Sequence, residues 1–394
     1  MWTGDLTREG NRIEFEASWA DGNANVFFEV PEHVPTSATG EALLSASLLP
    51  AMAFGDGRLE LDRAVDERIL RTAETIQDVM LSWDLSLRPE SARYHRVDIR
   101  SDGSASAARP DRGRGTACFF SGGVDSFYSV IKNRSRIDAL LFVHGFDITL
   151  DNASLYENVS GRLRDAAEML DLPLIEIRTN LRVLEDTSGA SWTDYHGAAL
   201  STVAHLLAPD FERVLIPSSW GYAHMKPWGS HPFLDPLWSS SDLEIVHDGA
   251  EVNRLGKMRF IADAEVAQRH LRVCYKNPEN TYNCGVCDKC IRTGLAAVIA
   301  DVGDRFTTLP SPSPTDIARL RITDGSEVTW KDYHDDLTRT GDRPDIRRAI
   351  GVALVRQRVG DSAPGQFTHR QVSRARWAVG HPREAARRVR AWVG

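Results

Sequence analysis

The sequence predicts an α/β protein built around a parallel sheet of five strands with helices on both faces. From residue 116 onward, short apolar segments of strand type alternate with longer segments of helical periodicity, which is typical of parallel strands joined by helices. The first of these strands runs through two adjacent glycines into an apolar helix. We expect a small α+β domain before this sheet and a helical extension after it.

The length and composition are those of a globular protein with more than one domain. The 394 residues predict roughly two to three domains, and 42% are hydrophobic and 26% charged. The formal net charge of −8 argues against a dedicated nucleic-acid binder. The first residues lack a signal-peptide pattern, and the longest apolar run, from Ala42 to Phe54, is too short for a bilayer. We therefore expect a cytoplasmic protein without membrane contact.

Residues 1–100 are predicted to form the small α+β domain. Its predicted elements are two strands within 11–31 joined by a turn at Gly22-Asn23, a helix over 62–83 capped by Asp62, and a last strand over 94–99. Packing or dimerisation is one role for this domain, and shaping a substrate pocket is the other. Residues 101–115 have no apolar periodicity and predict a linker.

The second domain is predicted over 116–305. Its strands are predicted at 116–120, 138–143, 173–178, 213–216 and 243–247, and its helices at 124–133, 154–170, 192–208 and 250–267. Right-handed crossovers between parallel strands place ligands at the carboxyl ends of the strands. Functional side chains are therefore expected just after each strand.

The loop after the first of these strands carries the strongest motif. It reads Ser121-Gly122-Gly123-Val124-Asp125-Ser126 and leads into the apolar helix. Backbone N–H groups at a helix N-terminus attract anions, and glycine lets a phosphate approach closely. The serines add hydroxyl donors, and Asp125 adds a carboxylate that Mg²⁺ could use. No Gly-Lys-Ser/Thr follows, which excludes a Walker A loop.

This segment resembles the signature of the PP-loop ATP pyrophosphatases. The resemblance implies the five-stranded, adenine-nucleotide-hydrolase-like sheet of that superfamily and the binding of ATP. It implies that residues 121–126 hold the β- and γ-phosphates, which leave as pyrophosphate while the α-phosphate is transferred as an adenylate. It also implies that the backbone near Val143 and His144 holds adenine, with Phe146 on the base, and that Lys257 faces the phosphates.

Plainer roles remain open for several of these residues. His144 and Asp147 are equally well placed to hydrogen-bond a local turn, and Lys257 to lie in solvent on its helix. His196, at the start of the third helix, is either a local cap or a functional group.

A long loop follows the fourth strand and is predicted to form the substrate pocket. Residues 217–242 include three tryptophans and two histidines, and a loop of this length inside a domain is usually functional or disordered. The candidate substrate residues are Trp220, His224, His231 and Asp235. The alternative is a structural segment that covers the edge of the sheet.

Four cysteines predict a metal centre. Cys274 precedes the overlapping motif Cys284-Gly-Val-Cys287-Asp-Lys-Cys290, and four thiolates suit a tetrahedral, structural Zn²⁺ with no open position. A [4Fe–4S] cluster and unliganded cysteines are the alternatives. The fifth cysteine, Cys118, lies within the first strand and is expected in the core.

The PP-loop motif followed by this cysteine spacing resembles the 7-cyano-7-deazaguanine synthases, over roughly residues 116–300. That resemblance implies an enzyme that adenylates a carboxylate or an amide and forms an amide or a nitrile. The N-terminal domain, the tryptophan-rich loop and the C-terminal extension depart from that family. We therefore expect a divergent relative with another substrate.

Residues 306–394 begin with a proline-rich break and are predicted to be helical, near 315–322, 344–357 and 383–392. Residues 365–394 hold seven arginines against one acid. This basic tail either contacts RNA or is a solvated helix that balances the acidic remainder.

The sequence as a whole predicts an AMP-forming, ATP-dependent carbon–nitrogen ligase with Ser121, Asp125, Ser126 and Lys257 as catalytic residues. Its cofactors would be ATP, Mg²⁺ and structural Zn²⁺. Its partners would be a small carboxylate or amide and a donor of ammonia or an amine, and we expect a homodimer. A tRNA-modifying enzyme, for which nucleic acid would be a partner, is the alternative. A nucleotide-sensing protein without activity is the third possibility.

Overall fold

The structure is a computed structural model that describes residues 1–105, 114–322 and 325–361. These residues group into two compact units, one of Met1–Gly285 with Ala296–Leu309 and the other of Val286–Leu295 with the chain from Pro310 onward. The predicted basic tail over 365–394 lies outside the described residues, as does most of the predicted linker. No helix in the described ranges has the length and apolar character needed to cross a membrane.

Strands β1 to β12 are Trp2–Glu9, Arg12–Trp19, Gly22–Glu29, Arg58–Leu61, Val65–Asp66, Asp98–Ser101, Ser104–Ala105, Gly115–Phe119, Ala139–His144, Leu174–Thr179, Phe211–Pro217 and Glu244–Asp248. Helices α1 to α12 are Gly40–Phe54, Glu67–Leu87, Val124–Lys132, Ala153–Met169, Arg182–Ser188, Trp192–Leu206, Arg254–Ile261, Glu265–His270, Asp288–Ile299, Pro314–Arg319, Glu327–Thr340 and Pro344–Asp361.

The main sheet has ten strands and is mixed, in the order β12-β11-β8-β9-β10-β3-β2-β1-β4-β6. The prediction of a five-stranded, wholly parallel sheet is therefore wrong for the sheet as a whole. The five predicted strands do form its parallel half, from β12 to β10. Beyond β10, strand β3 pairs antiparallel, with Arg178 opposite Glu29 and Thr179 opposite Phe28.

The physical reason for this difference is that the periodicity of a sequence identifies its strands but does not show which strands pair side by side. An edge strand presents unpaired N–H and C=O groups that another strand can satisfy. Strand β3 fills that position on β10, and the side chain of Asn180 adds a hydrogen bond from the N–H of Phe27 to its Oδ1 at 2.8 Å. The predicted N-terminal strands thus extend the same sheet, and the predicted domain boundaries themselves stay a prediction.

Helix α1 has no counterpart among the predicted elements. Twelve of its fifteen residues are buried, so its sequence shows no polar face and no helical period. Its neighbour is α6, where the hydroxyl of Tyr195 donates to the carbonyl O of Ala46 at 2.6 Å. A helix that is covered on all sides is apolar on all sides, and its pattern therefore resembles an unstructured apolar run.

Several predicted boundaries shift. Helix α2 begins at Glu67 with Asp66 as its N-cap, whereas Asp62 accepts from the N–H of Asp5 at 2.7 Å. The first hairpin turns before Gly22, which already belongs to β3. The helix predicted over 250–267 is two helices, α7 and α8. Strands β1, β4, β5 and β7 and helices α5, α9 and α11 also have no predicted counterpart.

The second unit is helical over its described residues. Trp330 and Tyr333 of α11 are fully buried, and the indole Nε1 of Trp330 donates to Oδ1 of Asp288 at 3.0 Å. Helix α10 begins with a capping box between Ser313 and Asp316.

Candidate functional site

The glycine-rich loop lies at the carboxyl end of β8, a central strand of the parallel half. Gly122 has a φ of +73°, and a Cβ there would lie 2.8 Å from Cδ2 of Leu163, so the position requires glycine. Gly123 is the N-cap of α3, and no side chain caps this helix. The helix therefore presents an N-terminus without a side-chain cap, which suits an anion.

The two serines of the motif have different surroundings. Ser121 is exposed, and a Cβ on Gly123 would lie 3.4 Å from its Oγ, so this hydroxyl lies over the loop. Ser126 is buried, and its Oγ donates to the carbonyl O of Gly123 at 3.1 Å. Ser121 is thus placed to contact a ligand, whereas Ser126 fastens the turn.

Asp125 joins the loop to helix α7. Its Oδ1 accepts from Nζ of Lys257 at 3.0 Å, and its Oδ2 accepts from Nη2 of Arg254 at 2.9 Å. Lys257 is only 1% exposed, and its Nζ also donates to the carbonyl O of Ser218 after β11. The structure therefore brings together Asp125 and Lys257, two of the predicted catalytic residues, and adds Arg254.

The acidic side chains of Asp248 and Glu251 form ion pairs with another lysine, Lys132. Nζ of Lys132 lies 2.8 Å from Oδ1 of Asp248 and 2.7 Å from Oε1 of Glu251. Burial opposes ionisation of Glu251, but hydrogen bonds from Lys132 and Tyr128 outweigh it and lower its pKa to about 2. Glu251 is thus ionised, and it pairs with Lys132 rather than with the cations at Asp125.

A Mg²⁺ ion coordinated by Asp125 does not fit this arrangement. Both carboxylate oxygens already accept from a cation, and a divalent ion there would lie beside two positive charges. Among the described residues, the only group of three or more His, Cys, Asp or Glu side chains close enough to hold a metal is the cysteine cluster.

The predicted adenine contacts lie at the end of β9. Val143 and His144 are buried, and the His144 ring stacks on Tyr156 with centroids 3.9 Å apart. Burial lowers the pKa of His144, so the ring is neutral; its Nε2 lies 3.2 Å from the carbonyl O of Thr149, and Nδ1 has no protein partner. The ring of Phe146 packs edge-on against that of Trp192, with centroids 5.1 Å apart, so its partner is another side chain of the protein.

The tryptophan-rich loop forms an aromatic cluster. The rings of Trp220 and Trp228 meet edge-to-face with centroids 6.1 Å apart, and Nζ of Lys226 lies 4.2 Å and 5.0 Å from their respective centroids. The ring of His196 lies 5.6 Å from that of Trp228. Aromatic faces and a cation thus meet on this loop.

Two glycines allow this loop to pack closely against helix α6. A Cβ on Gly197 would lie 2.0 Å from the carbonyl O of Gly229, and a Cβ on Gly229 would lie 2.5 Å from that of Asp194. The N–H of Ser230 donates to Nε2 of His196 at 3.2 Å, and Nδ1 of His196 lies 3.0 Å from the carbonyl O of Trp192. Burial lowers the pKa of His196, consistent with a neutral ring that accepts at Nε2. His196 therefore joins α6 to the loop.

A hydrogen-bonded chain of serine, histidine and aspartate side chains connects the tryptophan-rich loop to β12. Nε2 of His247 is 2.7 Å from Oγ of Ser218, and its Nδ1 is 2.7 Å from Oδ2 of Asp235. The order matches a nucleophilic triad, but Ser218 is fully buried and its hydroxyl donates to the carbonyl O of Trp220 at 2.7 Å. This hydroxyl is not placed to attack a substrate, and the chain instead fixes the segment that carries Trp220.

The other predicted substrate residues are spread along this loop. Asp235 is fully buried, and it also accepts from Oγ of Ser230 at 2.8 Å and from the N–H of His231 at 3.1 Å. His231 stacks on Phe233 and meets the edge of Trp83. His224 lies in a 3₁₀ turn. Of the four candidates, Trp220 belongs to the aromatic cluster, whereas Asp235 supports the loop from within.

The four predicted metal ligands come together. The sulfur atoms of Cys274, Cys284, Cys287 and Cys290 all lie within 4.8 Å of one another, and this group could hold a metal ion. The N–H of Asn277 donates to Sγ of Cys274 at 3.3 Å, a contact typical of thiolate ligands. Four sulfur donors fit a tetrahedral Zn²⁺.

Cys118 is separate from this group. It is fully buried in β8, and burial raises the pKa of its thiol. It is a core residue.

Three side chains of this site were not singled out by the sequence: Arg254, Ser218 and His247. Arg254 is the first residue of α7, three residues before the predicted Lys257, and helical spacing alone places both on one side of the helix. Ser218 and His247 follow or end strands, but their partners are distant in sequence, so no local pattern connects them.

Comparison of the chain with protein-family models, with curated proteins and with solved structures found no match.

Proposed function

We propose that this protein is an ATP-dependent ligase that adenylates a carboxylate or an amide, releases pyrophosphate, and then forms an amide or a nitrile with release of AMP. The single observation that carries the proposal is the group around α3. An uncapped helix N-terminus after two glycines, an exposed serine, and two cations paired with one loop carboxylate make a positively charged site that suits phosphate groups.

In the first step, an oxygen of the acceptor attacks the α-phosphorus of ATP. The bond to the bridging oxygen breaks, and the electron pair leaves with pyrophosphate. The N-terminus of α3, the Ser121 hydroxyl and the cations Lys257 and Arg254 would stabilise that developing charge. Ser126 keeps the turn in shape through its bond to Gly123.

In the second step, ammonia or an amine attacks the carbon of an adenylated carboxylate, loses a proton and displaces AMP, which leaves an amide. An adenylated amide instead loses its N–H protons and AMP, which leaves a nitrile. We assign the acceptor to the aromatic cluster of Trp220 and Trp228. This cluster follows Ser218, and Lys257 hydrogen-bonds both to Ser218 and to Asp125 of the glycine-rich loop. Adenine would lie at the end of β9, beside the backbone of Val143 and His144.

We propose Zn²⁺ as the metal of the cysteine cluster. Four thiolates leave no open position, so the ion would stabilise the fold and take no part in the reaction. The basic tail on which tRNA modification depends lies outside the described residues, so no structural observation favours that alternative.

The test is a product analysis with ATP, ammonium ion and a panel of aromatic carboxylic acids. We expect at least one acid to stimulate the formation of AMP and pyrophosphate, measured by phosphorus NMR. Ser121→Ala, Asp125→Ala and Lys257→Met should each lower that rate by about 10²–10³, as expected for the loss of a transition-state donor or of the residue that orients one.

Arg259→Gln is the matched control, because Arg259 lies on the same helix α7 but is exposed. It should keep the native rate. Formation of ADP and phosphate instead of AMP and pyrophosphate would contradict the proposal, as would a native rate in the Lys257 variant.

A further inference from the structure

The carboxylate of Asp125 is enclosed by cations. Lys257 lies 3.0 Å from one carboxylate oxygen and Arg254 lies 2.9 Å from the other. The side chain of Lys257 is 1% exposed, that of Arg254 is 12% exposed and that of Asp125 is 18% exposed. Hydrogen bonds with ionised partners are strong, and strongest where water is largely excluded. Asp125 is therefore bound to both cations.

The charges of this group do not cancel. One carboxylate faces two cations, and the N-terminus of α3 adds partial positive charge. The two acids at the end of β12 and just after it, Asp248 and Glu251, are bound by Lys132, and Glu251 also accepts from the Tyr128 hydroxyl at 2.6 Å. The excess positive charge at the loop is thus not compensated by these acids, and an anion would compensate it.

Two arrangements would use this carboxylate differently. As a metal ligand, Asp125 would have to release at least one cation and accept a divalent ion beside the other. As an anchor, it would keep both cations in place and leave their remaining N–H groups for the ligand. Lys257 has three N–H donors, of which Asp125 accepts one and the carbonyl O of Ser218 another, and Arg254 has five, of which Asp125 accepts one, so each keeps at least one donor for a ligand.

We propose that Asp125 is a positioning residue that holds Arg254 and Lys257 beside the glycine-rich loop, and that these two cations bind a diphosphate group directly, without a metal ion on Asp125. The identification of this diphosphate as part of ATP rests on the proposed function. The recognition of a diphosphate by the two cations does not.

Isothermal titration calorimetry with inorganic pyrophosphate tests this proposal. The titrations use the full chain, first in buffer freed of divalent cations by a chelating resin and then with excess Mg²⁺. We expect the native protein to bind pyrophosphate without Mg²⁺. Arg254→Gln and Lys257→Gln should each weaken this binding by about tenfold or more, as expected for the loss of a charge-assisted hydrogen bond.

The control on helix α7 is Arg259→Gln, which removes the same charge from an exposed position and should leave the affinity unchanged. Arg254→Lys keeps the charge and should weaken binding less than Arg254→Gln. Asp125→Asn should change the affinity by the same factor with and without Mg²⁺. Circular dichroism reports whether each variant is folded; if Asp125→Asn is not, the two Arg254 variants decide.

Pyrophosphate binding that requires Mg²⁺, with this requirement lost in Asp125→Asn, would overturn the proposal. Native affinity in Arg254→Gln would overturn it as well. Metal-free binding that depends on Arg254, in a protein that forms no AMP from ATP, would uphold this inference and contradict the ligase. Formation of AMP together with Mg²⁺-dependent binding through Asp125 would uphold the ligase and contradict this inference.

Discussion

At the scale of single residues, the loop depends on positions that accept only one kind of side chain. Gly122 is one, because its left-handed backbone and the nearness of Leu163 both disfavour a Cβ. Lys257 is another, because its ammonium group joins Asp125 of the loop to the carbonyl O of Ser218. Both residues were singled out by the sequence, as was Asp125, but Ser218, the other partner of Lys257, was not.

We expect Gly122→Ala to destabilise the protein by about 1–3 kcal/mol and to weaken pyrophosphate binding, because alanine is strained at this φ and its Cβ would press on Leu163. The matched control is Gly161→Ala, in helix α4, where a Cβ would meet nothing within 4 Å. That change should stabilise the helix by about 0.5–1 kcal/mol. Urea denaturation measures both, and equal stability of the two variants would contradict this account of the loop.

At the scale of elements, strand prediction succeeded where the pattern is local. All five strands of the parallel half appear within two residues of their predicted bounds. Helix α1 was missed because burial on all sides removes the periodicity that marks a helix. The predicted helix over 250–267 is interrupted between α7 and α8, and its first segment carries both Arg254 and Lys257.

The segment between α8 and α9 is an element whose shape depends on side chains. It contains one short 3₁₀ turn, and Asn283 joins its ends by accepting from the N–H groups of Val273 and Cys274 and donating to the carbonyls of Leu271 and Thr308. With so little regular structure, this segment should need a metal ion on its cysteines.

We therefore expect one Zn²⁺ ion per chain by elemental analysis of the purified protein. Cys290→Ser should lose the ion and lower the melting temperature, because the thiolate is a ligand. Cys118→Ala is the control, since Cys118 lies in β8 and should leave the metal content unchanged. Iron with acid-labile sulfide would support a cluster instead, and a metal-free native protein would contradict both.

At the scale of the whole molecule, the N-terminal strands and the parallel half share one sheet. Strand β3 covers the edge of β10, and α1 lies against α6, so the interior of the first unit includes both predicted domains. Loss of the N-terminal residues would expose a strand edge and an apolar helix face together.

A chain that begins at residue 114 should therefore aggregate, as measured by size-exclusion chromatography. Co-expression of residues 1–105 with residues 114–394 as separate chains should restore a soluble complex, because the β3–β10 pairing needs no covalent link between them. A soluble, monomeric 114–394 fragment would show instead that the parallel half is stable alone.

The sequence by itself determined what depends on neighbours along the chain: the five parallel strands, the glycine-rich turn into α3, and the grouping of the four cysteines. Each of these follows from periodicity, backbone freedom or ligand spacing within a few residues. Only the tertiary structure decided that the sheet has ten strands, that Asp125 is held by Arg254 and Lys257, and that Ser218, His247 and Asp235 form one hydrogen-bonded chain. Strand edges and buried charges are satisfied by whichever groups the folded chain brings to them, and those groups are far apart in sequence.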